Sequence, residues 1–490
     1  MPKELKKNIG SDKLNSPFII AGLIIFAVII GIIIANGGIR IALVILMIPP
    51  VLIYMNRLFV YPPVGLYTAL FLGFTIIGLM RYIPGVPLGL TIDIFLVLTY
   101  IALFFKYFYK KLDLKPAKND LTFLMLIWFL YSIFEFFNPE ALSRTAWFYA
   151  MRGMSLYPLL VIPLAFLLFN KVKYFYIFLY IWGTMSILAT IKGWMQLDIG
   201  PDYAEQRWLD QVGAITHILF GELRVFSFYS DAGQFGAAQG AAGIVGIICA
   251  INSKKFAEKI FFWIMGITGL YGMMISGTRG AIIVPMIGFF VYIIHRKNLR
   301  VIIIGSLLLF ATYAFFKYTF VGQNVSQIRR MRTAFHPDTD ASLQVRLENR
   351  RILKTYLATR PFGGGIGSAG DWGRRFSPYG FLSNIATDSW YVQIWAEQGI
   401  IGLTLHLFIL AYIVAKGSYL IMFKIRNPEL RWKMSAVLAG FCGIMGSSYG
   451  NGVLGQMPTG IITYLTWAFL FMSPQFDDEL MGATEPKLLK

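Results

Sequence analysis

Apolar residues fall in long runs along this chain, separated by short polar segments. Most runs are close to the roughly 20 residues that an α-helix needs to cross a bilayer. The pattern predicts an all-α polytopic membrane protein with about 12–14 transmembrane helices. The candidate spans are residues 17–35, 39–55, 62–80, 88–105, 121–137, 154–169, 174–192, 232–251, 260–276, 281–294, 301–317, 389–415, 434–449 and 456–472.

The composition agrees with this pattern. The chain has 490 residues, of which 57% are apolar and 14% are charged, whereas soluble domains carry about 25% charged residues. A water-soluble globule, a disordered chain and a single-pass anchor are therefore excluded. Cys249 and Cys442 both lie inside apolar runs, so they are interpreted as core residues and indicate neither a disulfide framework nor a metal cluster.

The distribution of charge predicts the topology. The first apolar run follows four lysines, but it is longer than the core of a typical signal peptide and no A-x-A-like site follows it. We therefore interpret it as a retained first span of a single integral-membrane domain, residues 1–490. The positive-inside rule then assigns the lysine-rich loops and both termini to the cytoplasm.

Two predicted outer segments are much longer than the others, residues 193–230 and 318–388. A structureless loop as long as 318–388 would be unusual, so we expect a folded functional element there. Within it, residues 340–357 have apolar positions near helical spacing, with Asp340 as a cap and Pro361 as a stop. This pattern predicts a surface helix that lies across the outer mouth of the protein.

Lysine and arginine are divided between the two predicted sides. On this topology 20 of the 25 cytoplasmic basic residues are lysine, whereas 16 of the 19 outer ones are arginine. Any cation can set topology, but the planar guanidinium also holds phosphate oxygens in a bidentate manner. The asymmetry therefore indicates an anionic ligand on the outer side. The alternative is that these arginines pair with loop carboxylates or lipid headgroups.

Three arginines stand next to the ends of apolar runs, where a charge is costly: Arg152, Arg224 and Arg279. The glycines beside Arg279, in Ser-Gly-Thr-Arg-Gly-Ala, allow backbone N–H groups to approach an anion together with the side chain. Arg346, on the predicted surface helix, is with Arg152 a further candidate for substrate binding.

Four carboxylates occur at or inside the apolar runs. Asp388 opens the run at 389–415, where it is either a helix cap or a functional base. Glu397 follows at membrane depth and is either a substrate-binding acid or part of a structural network. Asp93 and Glu135 belong to a polar network or to an ion path.

The remaining motifs are weak. The glycine-dense segment 361–370 is not a phosphate-binding P-loop, because no Gly-Lys-Ser/Thr follows it; a hinge or a close backbone approach to a ligand is expected instead. Asp338 and Asp340 form a D-x-D match that is better explained by a turn and a helix cap. We therefore expect no metal, no cofactor and no nucleic acid.

The order of these motifs resembles the O-antigen ligase and Wzy-type polymerase superfamily. The resemblance covers residues 222–402: Arg224 in Arg-Val-Phe-Ser-Phe-Tyr-Ser-Asp, then Arg279, the large loop, Gly363-Gly-Gly-Ile-Gly, and Asp388-Ser-Trp-Tyr-Val-Gln-Ile-Trp-Ala-Glu397. It implies an inner-membrane glycosyltransferase with a GT-C-like helical fold and a periplasmic active site. The implied donor is an undecaprenyl-diphosphate-linked oligosaccharide, and the implied acceptor is a glycan or lipid A-core.

By the same resemblance, Arg224 and Arg279 would bind the carrier diphosphate, and the transfer would invert the anomeric carbon. Ligases usually have a histidine nine residues before the glutamate, where this chain has Asp388. That departure favours a polysaccharide polymerase over a ligase that acts on lipid A-core or protein. Asp388 would accept the proton of the acceptor hydroxyl or orient that hydroxyl. Membrane lipids and other polysaccharide-assembly proteins are further expected partners.

Two alternatives from other classes stay open on the sequence alone. A transporter or lipid-glycan flippase would use Asp93, Glu135 and Glu397 along a pathway, although the repeated halves usual in transporters are not evident. A membrane scaffold of an envelope machine would tolerate alanine at Arg152, Arg224 and Arg279.

Overall fold

The computed structural model describes residues 16–108, 112–219, 221–335 and 341–482. Within these residues nine helices are long and apolar enough to cross a membrane, and two shorter apolar helices cover Pro17–Ile33 and Arg279–His295. One two-stranded antiparallel sheet is present in the same part of the chain. The prediction of an all-α polytopic membrane protein is confirmed.

The helices and strands are named here in chain order. They are α1 Pro17–Val60, α2 Pro63–Tyr82, α3 Leu90–Lys106, α4 Asp120–Phe134, α5 Arg144–Met151, α6 Tyr157–Leu168, α7 Val172–Asp198, α8 Tyr203–Trp208, α9 Ala214–His217, β1 Ile218–Leu219, β2 Glu222–Leu223, α10 Ala232–Asn252, α11 Phe256–Ile275, α12 Ile283–His295, α13 Leu299–Tyr318, α14 Ser326–Thr333, α15 Ala341–Leu357, α16 Gly370–Phe376, α17 Trp390–Phe423, α18 Pro428–Ser447 and α19 Thr459–Gly482.

Every predicted apolar run falls on a helical segment, although α17 and α19 extend eight and ten residues beyond the predicted ends. The first two runs form one element, α1, whose backbone is non-helical at Gly38 (φ 63°). A left-handed glycine breaks the helix at the point where the polar gap separates the two runs. A π-helical segment, Arg152–Leu156, joins α5 to α6.

The centre of the bundle is α10, almost all of whose residues are buried. Its glycines and alanines allow the neighbouring helix α11 to approach closely. A Cβ at Gly246 would lie 2.5 Å from the backbone nitrogen of Gly266, and a Cβ at Gly269 would lie 2.5 Å from that of Gly243. Close packing of small residues is a common way to associate helices in lipid.

The connecting loops gather at two ends of the bundle. At the lysine end, defined here by residues 112–119, 169–171, 253–255, 296–298 and 424–427, the Gln475 side chain donates to the Asn170 carbonyl and Arg296 donates to Asn252. At the arginine end, defined by residues 83–89, 138–143, 199–219, 221–231, 276–278, 319–335, 341–389 and 448–458, Arg360 pairs with Glu140. The loops thus alternate between the ends in the predicted order, and α19 finishes at the lysine end, where Glu479 accepts the N–H of Val172.

The long connection between α13 and α17 contains three helices, α14, α15 and α16. Helix α15 confirms the predicted surface helix, although Asp340, its expected cap, lies outside the described residues. Leu353 and Leu357 bury one face of α15 against Ala396 of α17 and the 382–385 segment. Val345 and Leu347 remain exposed, so the C-terminal half of α15 fixes it on the bundle.

Candidate functional site

Arg224 lies immediately after the small β-hairpin, in the segment that leads into α10. Its guanidinium donates to the Thr216 carbonyl at 3.1 Å and to the Thr278 hydroxyl at 3.1 Å. Thr278 directly precedes Arg279 in the turn between α11 and α12, so the structure brings these two predicted arginines to one corner of the arginine end. The buried Nε of Arg224 has no hydrogen-bond partner in the described structure.

Two further arginines approach this corner, Arg330 from α14 and Arg346 from α15. Burial and the nearby charge of Arg330 lower the pKa of Arg224, to which Arg279 and Arg346 also contribute; Asp231 opposes them. Burial and the charge of Arg279 likewise lower the pKa of Arg330. We call Arg224, Arg279, Arg330 and Arg346 the arginine cluster. Mutual repulsion of this kind favours an anionic ligand.

Close contacts with glycines set the shape of the cluster. Gly277 has φ 58°, and a Cβ there would lie 3.2 Å from a terminal nitrogen of Arg330. A Cβ at Gly280 would lie 2.8 Å from the Asn451 amide nitrogen, and one at Gly233 would lie 3.0 Å from the Asn451 oxygen. Glycines therefore make room for Arg330 and for the Asn451 side chain beside Arg279.

Asp388 connects the cluster to the start of α17. Its carboxylate accepts from Nε of Arg346 at 3.0 Å, and about half of its side chain is exposed. The alternative that Asp388 caps the helix is wrong, because Ser389 is the N-cap and accepts the Val392 N–H. Asp388 precedes the cap, which leaves its carboxylate available to contacts outside the helix.

The start of α17 is bonded to the end of α18. The Ser448 carbonyl accepts the Trp390 N–H at 3.0 Å and the Ser389 hydroxyl at 3.2 Å. The Tyr391 hydroxyl donates to the Met445 carbonyl at 2.8 Å. Beside this joint, Arg350 of α15 donates to the Tyr449 hydroxyl at 2.5 Å and lies over its ring.

Asp388 also lines a cavity of about 650 Å³. The end of α2 and the 85–90 loop form an apolar wall, and α16 and the start of α17 supply polar side chains. Asp388 lines this cavity, whereas its described lining contains no member of the arginine cluster. Asp388 is therefore in contact with both the cluster, through Arg346, and the cavity.

Arg152 lines the cavity from the π-helical segment after α5. It forms a two-point ion pair with Asp93, with one bond at 3.0 Å, and it also donates to the Gly89 carbonyl and the Tyr157 hydroxyl. The positive charge of Arg152 is thus balanced within the cavity wall. Its predicted role in substrate binding stays a prediction.

Glu397 is fully buried beneath the glycine-dense segment. One carboxylate oxygen accepts the Ala369 N–H at 3.2 Å and contacts the Gln393 amide at 3.5 Å, and Gln393 lines the cavity. The structure therefore gives Glu397 a network role, one of its two expected roles; whether it also binds substrate stays a prediction.

The glycine-dense segment approaches a helix rather than forming a hinge. Gly364 and Gly365 donate their N–H groups to the carbonyls of Ala396 and Glu397 at 2.9 and 2.8 Å. Helix α17 is broken at Gly399 (φ 65°), where a Cβ would lie 2.0 Å from the Pro361 carbonyl oxygen. The segment thus fixes the helix that carries Asp388.

Three residues of the site were not predicted, Arg330, Tyr449 and Asn451. Arg330 lies in Gln-Ile-Arg-Arg-Met-Arg, where Arg329 is exposed and Arg332 is buried against carbonyls of the preceding loop. Three arginines in four positions signal a basic helix, but the sequence does not indicate which one faces the cluster.

The D-x-D match is the motif of this chain that resembles a metal site. Asp338 and Asp340 of the D-x-D match lie outside the described residues. Within the described ones, no group of three histidine, cysteine or acidic side chains is arranged to hold a metal ion.

The fold and the site together define a polytopic membrane protein with an arginine-rich centre at one end of its helical bundle. Residues 260–407, less than a third of the chain, match the family model described as O-antigen ligase. The match confirms the resemblance to the O-antigen ligase and Wzy-type superfamily, and it supports a multi-pass membrane enzyme that transfers glycosyl groups. No curated protein matches the chain.

Proposed function

We propose that the protein is a glycosyltransferase on the periplasmic face of the bacterial inner membrane. It transfers glycan from an undecaprenyl-diphosphate carrier to a hydroxyl of an acceptor glycan, as a polymerase of polysaccharide repeat units. The arginine end is then periplasmic, and the lysine end, with both termini, is cytoplasmic. Residues 318–388 form the large periplasmic loop, and residues 222–402 form the catalytic region.

The observation that carries this proposal is the cluster of four arginines, one of which, Arg346, pairs with the carboxylate of Asp388 in the lining of a cavity. Carrier diphosphate is a good leaving group when its developing charge is stabilised. Guanidinium groups held in place before the reaction stabilise such charge without reorganisation. The unpartnered Nε of Arg224 and the lowered pKa of Arg330, caused by burial and by the charge of Arg279, favour an anion at this position.

The reaction breaks the bond between the anomeric carbon and the phosphate oxygen and forms a bond from that carbon to the acceptor oxygen. The electron pair of the broken bond leaves on the diphosphate, next to Arg224 and Arg279. The acceptor proton passes to the carboxylate of Asp388, which Arg346 orients. An in-line displacement of this kind inverts the anomeric carbon.

The test is a transfer assay in proteoliposomes that contain the purified full chain and a radiolabelled undecaprenyl-diphosphate-linked repeat unit. We expect free undecaprenyl diphosphate and longer lipid-linked glycan to appear together. Asp388→Asn should lower kcat by about 10²–10⁴-fold, the usual contribution of general-base catalysis. Full activity of Asp388→Asn would reject its role as the base, and labelled lipid that changes leaflet without chain growth would favour a flippase.

A ligase is the second candidate, because the matched family model is described as O-antigen ligase. In the same vesicles a ligase would extend lipid A-core but would not lengthen the lipid-linked repeat unit. The transporter alternative is less well supported, since Asp93 is paired with Arg152, Glu135 is bonded to Asn138 and Glu397 is bonded to Ala369.

A further inference from the structure

Three aromatic rings form a layer at the cavity beside Asp388. Tyr149 of α5 stacks on Trp372 of α16 with centroids 4.9 Å apart and planes 16° apart, and on Phe376 with centroids 5.6 Å apart and planes 8° apart. Trp372 and Phe376 are 6.1 Å apart. Tyr149 and Trp372 line the cavity, and both are partly exposed.

The distances fix the arrangement of this layer. If Trp372 and Phe376 lay on opposite faces of Tyr149, two contacts of about 3.5 Å would separate them by about 7 Å. Their actual separation is smaller, so both rings lie side by side on the same face of Tyr149. The face of Trp372 that points away from Tyr149 is therefore not covered by the other two rings, and of Trp372 and Phe376 it is Trp372 that lines the cavity.

Such a surface suits the C–H face of a pyranose ring. The face of an aromatic ring is electronegative, and it attracts the weakly positive C–H hydrogens that a sugar presents on its apolar face. Polar groups that can bond the equatorial hydroxyls line the same cavity, among them Asp371, Gln393 and Gln456. An apolar surface with a few convergent polar groups is the usual composition of a ligand site.

The contacts of Asp388 indicate whether the cavity binds the donor sugar or the acceptor sugar. In an in-line displacement the acceptor oxygen and the leaving group lie on opposite sides of the anomeric carbon. Asp388 contacts Arg346 of the arginine cluster, which takes the leaving diphosphate in the proposed reaction, and it also lines the cavity, whose described lining holds no member of that cluster. The sugar in the cavity is therefore the acceptor.

We propose that Trp372, supported from behind by Tyr149, forms an acceptor subsite in which a pyranose ring of the growing glycan stacks on the face of Trp372 that points away from Tyr149. The assignment to the acceptor rests on the proposed glycosyl transfer, whereas binding of a pyranose at these rings does not. The subsite selects sugars with an unobstructed C–H face, and it holds the acceptor hydroxyl at the carboxylate of Asp388.

Saturation-transfer difference NMR tests the binding directly, on the full chain in lipid nanodiscs. The probes are methyl β-D-glucopyranoside, methyl β-D-galactopyranoside and methyl α-D-mannopyranoside. We expect transfer to the ring C–H protons of at least one probe. Trp372→Leu, which keeps the apolar volume but removes the aromatic face, should weaken its binding about tenfold. Absence of transfer to all three probes on the wild-type chain would overturn the proposal.

Two variants keep the test independent of folding. Trp372→Phe retains an aromatic face and should bind the probe within about threefold of wild type, which is less than 0.7 kcal/mol. Tyr379→Leu removes an aromatic side chain that is 99% exposed and lies three residues beyond α16, and it should change nothing. Equal binding by Trp372→Leu and wild type, or equal losses in Trp372→Leu and Tyr379→Leu, would contradict the subsite.

The kinetic readout separates this inference from the proposed function. In the proteoliposome assay Trp372→Leu should raise the KM for the acceptor about tenfold and leave the KM for the donor unchanged. A chain that transfers glycan normally and is insensitive to Trp372→Leu would refute the subsite and leave the proposed function intact. A chain that binds pyranosides through Trp372 but transfers nothing would refute the proposed function and support the binding site.

Discussion

Two groups of cations, one at each end of the bundle, differ in their electrostatic surroundings. At the lysine end, Arg426 pairs with Asp477 at 2.9 Å and also with Asp478. Its hydrogen bonds to Asp477 raise its pKa. The buried Lys433 pairs with both Glu258 and Glu429. Each of these cations is neutralised by carboxylates of the protein itself.

At the arginine end, the pKa values of Arg224 and Arg330 are lowered, because both are partly buried and lie near other arginines. Arginine content alone therefore does not identify an anion-binding site. The informative quantity is the local balance of charge. Arg426 and Lys433 have carboxylate partners, whereas the lowered pKa values of Arg224 and Arg330 favour an anionic ligand beside these two side chains.

The largest effect is expected at the lysine end, on stability. Lys433→Met should lower the free energy of unfolding by about 3–5 kcal/mol, because it leaves Glu258 and Glu429 partly buried without their cation. Thermal unfolding in detergent measures the change. Lys424→Met, at an exposed position of the same end, is the control and should change stability by less than about 0.5 kcal/mol. Equal stability of the two variants would contradict the claim that Lys433 and its carboxylate partners stabilise the fold.

The next effect is expected in the arginine cluster, on catalysis. Arg224→Ala and Arg279→Ala should each lower kcat by about 10²–10³-fold, because each removes a group that stabilises developing charge. Neither should lower the thermal midpoint as Lys433→Met does. Arg351→Ala is the matched control, since Arg351 is exposed on α15 and pairs with Glu348 of the same helix. Wild-type turnover in both cluster variants would refute the diphosphate role.

The smallest effect is expected for Arg330, on the stability of the ligand-free chain. Arg330→Gln removes one of the repelling charges, so it should stabilise the ligand-free chain by up to about 1 kcal/mol. Inorganic pyrophosphate should raise the thermal midpoint of the wild type, because a ligand stabilises the state that binds it, and it should do so less for Arg330→Gln. If pyrophosphate stabilises both chains equally, Arg330 takes no part in the anion site.

The helices could be predicted from the sequence because the lipid environment places a strong constraint on each segment separately. Each span must be a continuous apolar helix, so runs such as 232–251 and 301–317 correspond closely to α10 and α13. The break between the first two runs was also visible, and the structure places it at Gly38.

The site was predictable only in part, because it depends on contacts between distant segments. Arg224 and Arg279 stood out as costly charges at the ends of apolar runs, a local signal. Arg330 and Asn451 gave no such signal, because their positions depend on packing against Gly277, Gly233 and Gly280. The cap at Ser389 was missed because aspartate and serine are both good N-caps, and only the backbone shows where the helix begins.

The joint between α17 and α18 has one more consequence. Since the Ser448 carbonyl accepts hydrogen bonds from both Ser389 and Trp390, Asp388, the proposed proton acceptor, and the 449–451 loop beside the arginine cluster are attached to the same joint. We expect the distance between the leaving phosphate and the attacking oxygen to be fixed before either lipid substrate binds. Related enzymes could then join different sugars through substitutions at positions 149 and 372, while their catalytic residues stay the same.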